Sequence, residues 1–195
     1  MRQFFFFFLS CFCFSFLPAE IIQVVTYWDA LKCLDYCTPR IRANLSAIPG
    51  VGVLQLNAPA GTATIDWIAS YPFSYQQFYY AAAAAGINLN DVSILVKGKI
   101  IHDPANIYLV SDGDQLRFTL IGPVRPTFLS HRPSSNIALH PLSQEMIGKL
   151  LDIENRGETI TIFGTLFAPR KYPNTLIVQQ IKVLKDISQE IEQNE

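Results

Sequence analysis

VSILVKGKII (Val92–Ile101) decides how this chain is organised. Its β-branched and aliphatic residues read as a strand. Gly98 interrupts the run, and a glycine inside a strand marks a bulge or a sharp bend. Upstream, strand patterns alternate with helix patterns. Downstream, short strands follow one another between turn signals. The stretch ends the first pattern and begins the second. Two halves that share a strand need no flexible linker, and none is expected here.

The upstream half begins with EIIQVVTYW (Glu20–Trp28), a β-rich segment. Ile41, Leu45 and Ile48 then fall on one helical face, with Thr38 as the expected N-cap, Pro39 in the first turn and Pro49-Gly50 as the stop. Residues 51–69 alternate on both sides of Pro59-Ala60-Gly61, which predicts a hairpin. Ser74 with Gln77 has the spacing of a capping box, opening the helix YQQFYYAAAAA that Gly86 closes. Val92–Ile101 completes the order β-α-β-β-α-β. That is the order of a ferredoxin-like sandwich, two helices over one face of a four-stranded antiparallel sheet.

Downstream, NIYLVS and QLRFTLIG are strands joined at Asp112-Gly113-Asp114. A proline-rich loop follows. Met146, Leu150 and Ile153 share a helical face behind Ser143 as cap, and two more strands follow, the first with Gly164 inside it. The order β-β-β-α-β-β, with glycines where strands must bend, resembles an OB-fold barrel. The expected class is α+β: a ferredoxin-like half over residues 20–97, an OB-like five-stranded barrel over 92–185, and an acidic tail over 186–195.

Residues 1–19 read as a secretory signal peptide. Arg2 precedes a 14-residue apolar run, Phe4–Leu17, and Leu17-Pro18-Ala19 offers a small-residue exit. The run is shorter than the ~20 residues a spanning helix needs, so no membrane segment is expected in the mature chain. The expected location is the periplasm or cell envelope. Cleavage would remove Cys11 and Cys13, leaving Cys33 and Cys37 and a formal charge of −2 from 14 Lys and Arg against 16 Asp and Glu. Lipidation at Cys11 is a weaker alternative, because the apolar stretch before it is short.

Cys33 and Cys37 flank Leu34-Asp35-Tyr36 in KCLDYCTPR. Two thiolates suit a soft ion, Cu(I) above all, whereas Zn(II) takes four ligands. Three readings stay open at this point: a soft-metal site, a local disulfide, structural or redox-active, and a fold that has lost its metal. The segment Cys37-TPR-Ile41-RAN-Leu45-SA-Ile48-Pro49-Gly50-Val51 resembles the heavy-metal-associated domain of copper chaperones and metal-pumping ATPases. The resemblance implies Cys33 and Cys37 as metal ligands, Cu(I) or another soft metal as the bound ion, and a role in metal binding, delivery or sensing. The chain departs from the family's motif in having CxxxC for CxxC, and Leu31 where the family has methionine. His102, His131 and His140 lack ligand spacing and read as surface or structural residues.

Phosphate loops, nucleophile elbows and HExxH motifs are missing from the sequence. No catalytic residue is expected, and thiol-disulfide exchange is the only enzymatic route. Residues 92–185 carry 11 Lys and Arg against 7 Asp and Glu, a mild excess that argues against nucleic acid. Tyr108, Phe118, Phe128, Phe163 and Phe167 either fill the barrel or face a partner. The functional alternative is a non-catalytic module that binds an envelope protein or a glycan.

Overall fold

The long strand β4 (Leu89–His102) is the axis of the molecule. The structure is a computed structural model that describes residues 20–32, 37–112, 115–123 and 136–184. Residues 1–19, expected as a leader, the expected turn at Gly113-Asp114, Phe128, His131 and the expected acidic tail lie outside the described residues. Residues 93–96 of β4 pair with β1 (Ile21–Trp28) on one edge and with β7 (Thr159–Leu166) on the other. Residues 98–102 exchange β1 for β5 (Ile107–Ser111), while β7 still pairs as far as Lys99. One strand therefore leaves the first sheet and enters the second without a break.

In the first sheet β2 (Val51–Asn57) pairs with β3 (Thr62–Trp67), β3 with β1 and β1 with β4, all antiparallel. The hairpin between β2 and β3 turns through a 3-10 segment, Ala58–Ala60, and Gly61 in the left-handed region. Val24, Ile65 and Ile94 stand in one row and are fully buried. Helices α1 (Cys37–Ser46) and α2 (Tyr75–Ala85) join the same core through Ile41, Leu45, Phe78 and Ala82. The Phe78 ring lies 5.7 Å from the buried Trp67 and 5.6 Å from the partly buried Phe73.

Two helix starts differ from expectation. Helix α1 begins at Cys37, so Thr38 is inside it and is not its cap. Pro39 still falls in the first turn, where a missing N–H costs nothing. Ser74 stands at the N-cap of α2 with extended backbone, yet its side chain makes no cap hydrogen bond. Ser143 does cap α3 (Gln144–Asn155), accepting from the Met146 N–H at 3.2 Å.

The second sheet closes on itself. β5 pairs with β6 (Arg117–Ile121), β6 runs parallel to β8 (Thr175–Val183), β8 pairs with β7, and β7 returns to β4. The result is a closed five-stranded barrel, consistent with the OB-like expectation. Ile100, Leu109, Phe118, Ile160, Ile162 and Leu176 fill it. Phe118 and Phe167 are buried, whereas Tyr108 and Phe163 are partly exposed. Gly98 and Gly164 sit where neighbouring backbones come too close for a side chain. Among the described residues, no helix is long and apolar enough to cross a membrane.

Candidate functional site

The cysteine position is built by the end of β1. After Trp28 the chain makes a 3-10 turn, Ala30–Lys32, in which Asp29 Oδ1 accepts from the Leu31 N–H at 3.1 Å. Leu31 is 91% exposed. Cys33 and residues 34–36 lie outside the described residues. Cys37 then opens α1, with Ile41 and Leu45 following it on the buried face. It is only 2% exposed and is disulfide-bonded. A sulfur in a disulfide is not a thiolate, and the thiolate is the species that ligates metals or attacks. In this state Cys37 offers no thiolate to a soft metal ion. No group of three or more His, Cys, Asp or Glu among the described residues has the arrangement to hold one.

Both described histidines are committed to structure. His102 meets the Glu154 carboxylate through its ring Nδ1 and its backbone N–H. His140 is buried, its Nδ1 3.2 Å from the Gly122 carbonyl and its ring edge-on to Phe167 at 4.5 Å. Both line a cavity of about 560 Å3 with Ile107, Leu120, Ile147 and Leu151.

The barrel's outer face carries two cations, Lys99 and Arg117, that form no salt bridge among the described residues. Register places Lys99, Val110 and Arg117 in one row across β4, β5 and β6. Ile101, Tyr108 and Thr119 form the next row on the same face. Adjacent strands lie ~4.8 Å apart, so the backbone positions of Lys99 and Arg117 stand about 10 Å from one another with a valine between them. Neither Lys99 nor Arg117 has a carboxylate within salt-bridge distance among the described residues. A shallow cavity of about 350 Å3 opens here, bordered by Ile101, Asp112 and Gln115 as well as by the row itself. Asp112 is not a partner for the row. It lies 3.7 Å from Lys97, whose ammonium also pairs with Glu20 at 2.7 Å and ties the start of β1 to the barrel.

Tyr108 is fixed rather than free. Its hydroxyl donates to Asp103 Oδ2 at 2.8 Å, and the Arg117 guanidinium lies 5.7 Å from its ring centroid. Asp103 Oδ1 accepts from the backbone N–H groups of Ala105 and Asn106, closing the β4–β5 turn. The Tyr108 hydroxyl, and after it those two N–H groups, hold the Asp103 carboxyl below its usual 3.8. A carboxyl with a depressed folded value stabilises above its unfolded value, and the effect is lost as pH falls through the folded value. Amide exchange of Ala105 and Asn106 should therefore be slow above about pH 4 and accelerate, beyond the intrinsic pH effect, on acidification. Asp103→Asn should remove that acid-dependent step. An identical profile in the variant would show that Asp103 does not hold the turn.

The comparisons supply no relative: no family model, curated protein or solved structure matches the chain. Sequence reading singled out the cysteines and missed the Lys99–Arg117 row. Both residues were visible as outward positions of alternating strands. Their alignment depends on two hairpin registers, which composition does not encode.

Proposed function

We propose that this chain is an exported, non-catalytic binding protein whose barrel face docks an acidic, extended segment of an envelope protein. The Lys99–Val110–Arg117 row carries this reading. It offers cation, apolar side chain and cation in line, on paired strands that fix their backbone positions before a partner arrives. An extended chain presents alternate side chains to one face at ~6.7 Å intervals, shorter than the ~10 Å between the two ends of the row, a difference that long Lys and Arg side chains can span. A peptide fits this face better than a sugar, because Arg117 already covers the side of Tyr108.

Export is supported by the signal-like residues 1–19 and by the disulfide at Cys37, a bond that persists in oxidising compartments. We read residues 20–97 as a ferredoxin-like half, on the support of the antiparallel order β2-β3-β1-β4 with α1 and α2 on one face. The barrel is read as OB-like on its strand order and on α3 between β6 and β7.

The test uses a fluorescein-labelled ten-residue peptide with glutamate at alternate positions, against a glutamine control. Anisotropy should report binding of the glutamate peptide only, weakening as salt rises. Lys99→Glu with Arg117→Glu should weaken it about a hundredfold at low salt. Equal binding by the double variant would reject the barrel face.

Soft-metal binding by Cys33 and Cys37 is a second reading, favoured by one observation. Cys37 is the first residue of α1, where a helix N-terminus lowers a thiol's pKa. This reading requires the reduced pair. Reduced protein should then compete with a chelator for one Cu(I), and Cys37→Ser should lose that ion. Equal Cu(I) retention by the variant, or none by the parent, would remove Cys37 from any metal role.

A further inference from the structure

A second unsatisfied cluster lies where α2 meets the loop between β7 and β8. Tyr75 and Tyr79 are one helical turn apart, with rings 6.4 Å apart and nearly parallel. Tyr80 sets its ring edgewise to Tyr79 at 5.6 Å and is 65% exposed. From the barrel side, Arg170 lays its guanidinium over Tyr79, with Cζ 3.8 Å from the ring centroid. These residues and Gln76 line a cleft of about 420 Å3. That volume falls within the range of small-molecule sites, roughly 300–1,000 Å3.

What the cleft displays is polar groups without protein partners. The three phenol hydroxyls, the Gln76 carboxamide and the Arg170 N–H groups make no hydrogen bond or ion pair among the described residues. Stacking on Tyr79 occupies one face of the guanidinium and leaves its edge, the fork that grips a carboxylate, open. Burial raises the Tyr75 phenol and outweighs the opposing charge of Arg170, with Tyr79 and Asp91 adding smaller upward effects. Its hydroxyl is therefore protonated at neutral pH and both donates and accepts. A large exposed ring, several neutral hydrogen-bonding groups and one open guanidinium are complementary to a pyranose that carries a carboxylate. The ring faces the sugar's C–H groups, the hydroxyls and carboxamide meet its hydroxyls, and Arg170 takes the acid.

We propose that Tyr75, Gln76, Tyr79, Tyr80 and Arg170 form a binding site for an acidic sugar, a hexuronate unit of a polysaccharide. The site shares no residue with the barrel face, so either reading can fail without the other. Calorimetric titration of the full chain with a linear trimer of galacturonic acid, against the neutral glucose trimer maltotriose, tests it. The acidic trimer should bind at least tenfold more tightly. Arg170→Lys should weaken the acidic trimer about tenfold, because a point charge replaces the fork, and Arg170→Gln should erase the preference between trimers. Tyr80→Ala should weaken both trimers, and the exposure of Tyr80 leaves the unfolding midpoint near the parent's. Binding of neither trimer, equal binding of both by the parent, or an unchanged preference in Arg170→Gln would overturn the proposal. Lys99→Glu with Arg117→Glu should bind the acidic trimer as the parent does. Loss of binding in that variant would place the sugar on the barrel instead.

Discussion

Gly98→Ala is expected to destabilise the chain by about 3 kcal/mol or more, a large share of a typical domain's 5–15 kcal/mol. An added Cβ would lie 2.1 Å from the Val110 carbonyl oxygen, 2.8 Å from its carbon and 3.1 Å from Ser111 Cα. All three are backbone atoms of β5, which is paired to β4 at this point, so no side chain can rotate away. β7 holds the opposite edge of β4 at Gly98 through its pairing with Ile160. Relief would require opening the barrel where it departs from the first sheet. Gly148→Ala is the matched control. Gly148 is inside α3 with nothing within 4 Å of an added Cβ, and alanine there should stabilise by about 1 kcal/mol. Urea unfolding of the two variants should move in opposite directions. A Gly98→Ala midpoint equal to the parent's would mean that β4 does not make this crossing.

The second large effect is on binding. Reversing both Lys99 and Arg117 should weaken the acidic peptide about a hundredfold at low ionic strength, or about 2.7 kcal/mol. One exposed ion pair is worth little, roughly 0–1 kcal/mol. Reversal does more than delete two pairs, since each attraction becomes a repulsion of similar size. The difference should shrink toward physiological salt, where charges more than ~8 Å apart are screened. Fold stability should change little, because neither side chain is in an ion pair among the described residues. A hundredfold loss that persisted unchanged at high salt would point to altered packing instead of charge.

The double duty of β4 was legible because Gly98 sits inside a run of β-branched and aliphatic residues, which marks a strand that must bend partway along. The β2–β3 hairpin was legible in Pro59-Ala60-Gly61, whose glycine takes the left-handed conformation the turn needs. Helix starts were less legible. Pro39 is compatible with several positions in a first turn, so it could not say that α1 begins at Cys37. The spacing of Ser74 and Gln77 suggested a box whose side-chain bond is missing. The barrel was legible in the order of elements and the bending glycines, but the pairing that closes it was not. The parallel contact of β6 with β8 joins segments more than fifty residues apart, and nothing local to either strand records it. Function suffered most from this. Cys33 and Cys37 are close in sequence and drew attention, whereas the Lys99–Arg117 row and the Arg170–Tyr79 stack exist only after the chain has folded.

The most direct test of the barrel-face account is a titration of the 15N-labelled full chain with the alternating-glutamate peptide, followed by amide and side-chain shifts. The account predicts that the largest changes fall on Lys99, Ile101, Val110, Arg117 and Thr119, with the α1 amides around Cys37 unmoved. Changes centred on α1, or spread without preference over both halves, would contradict it.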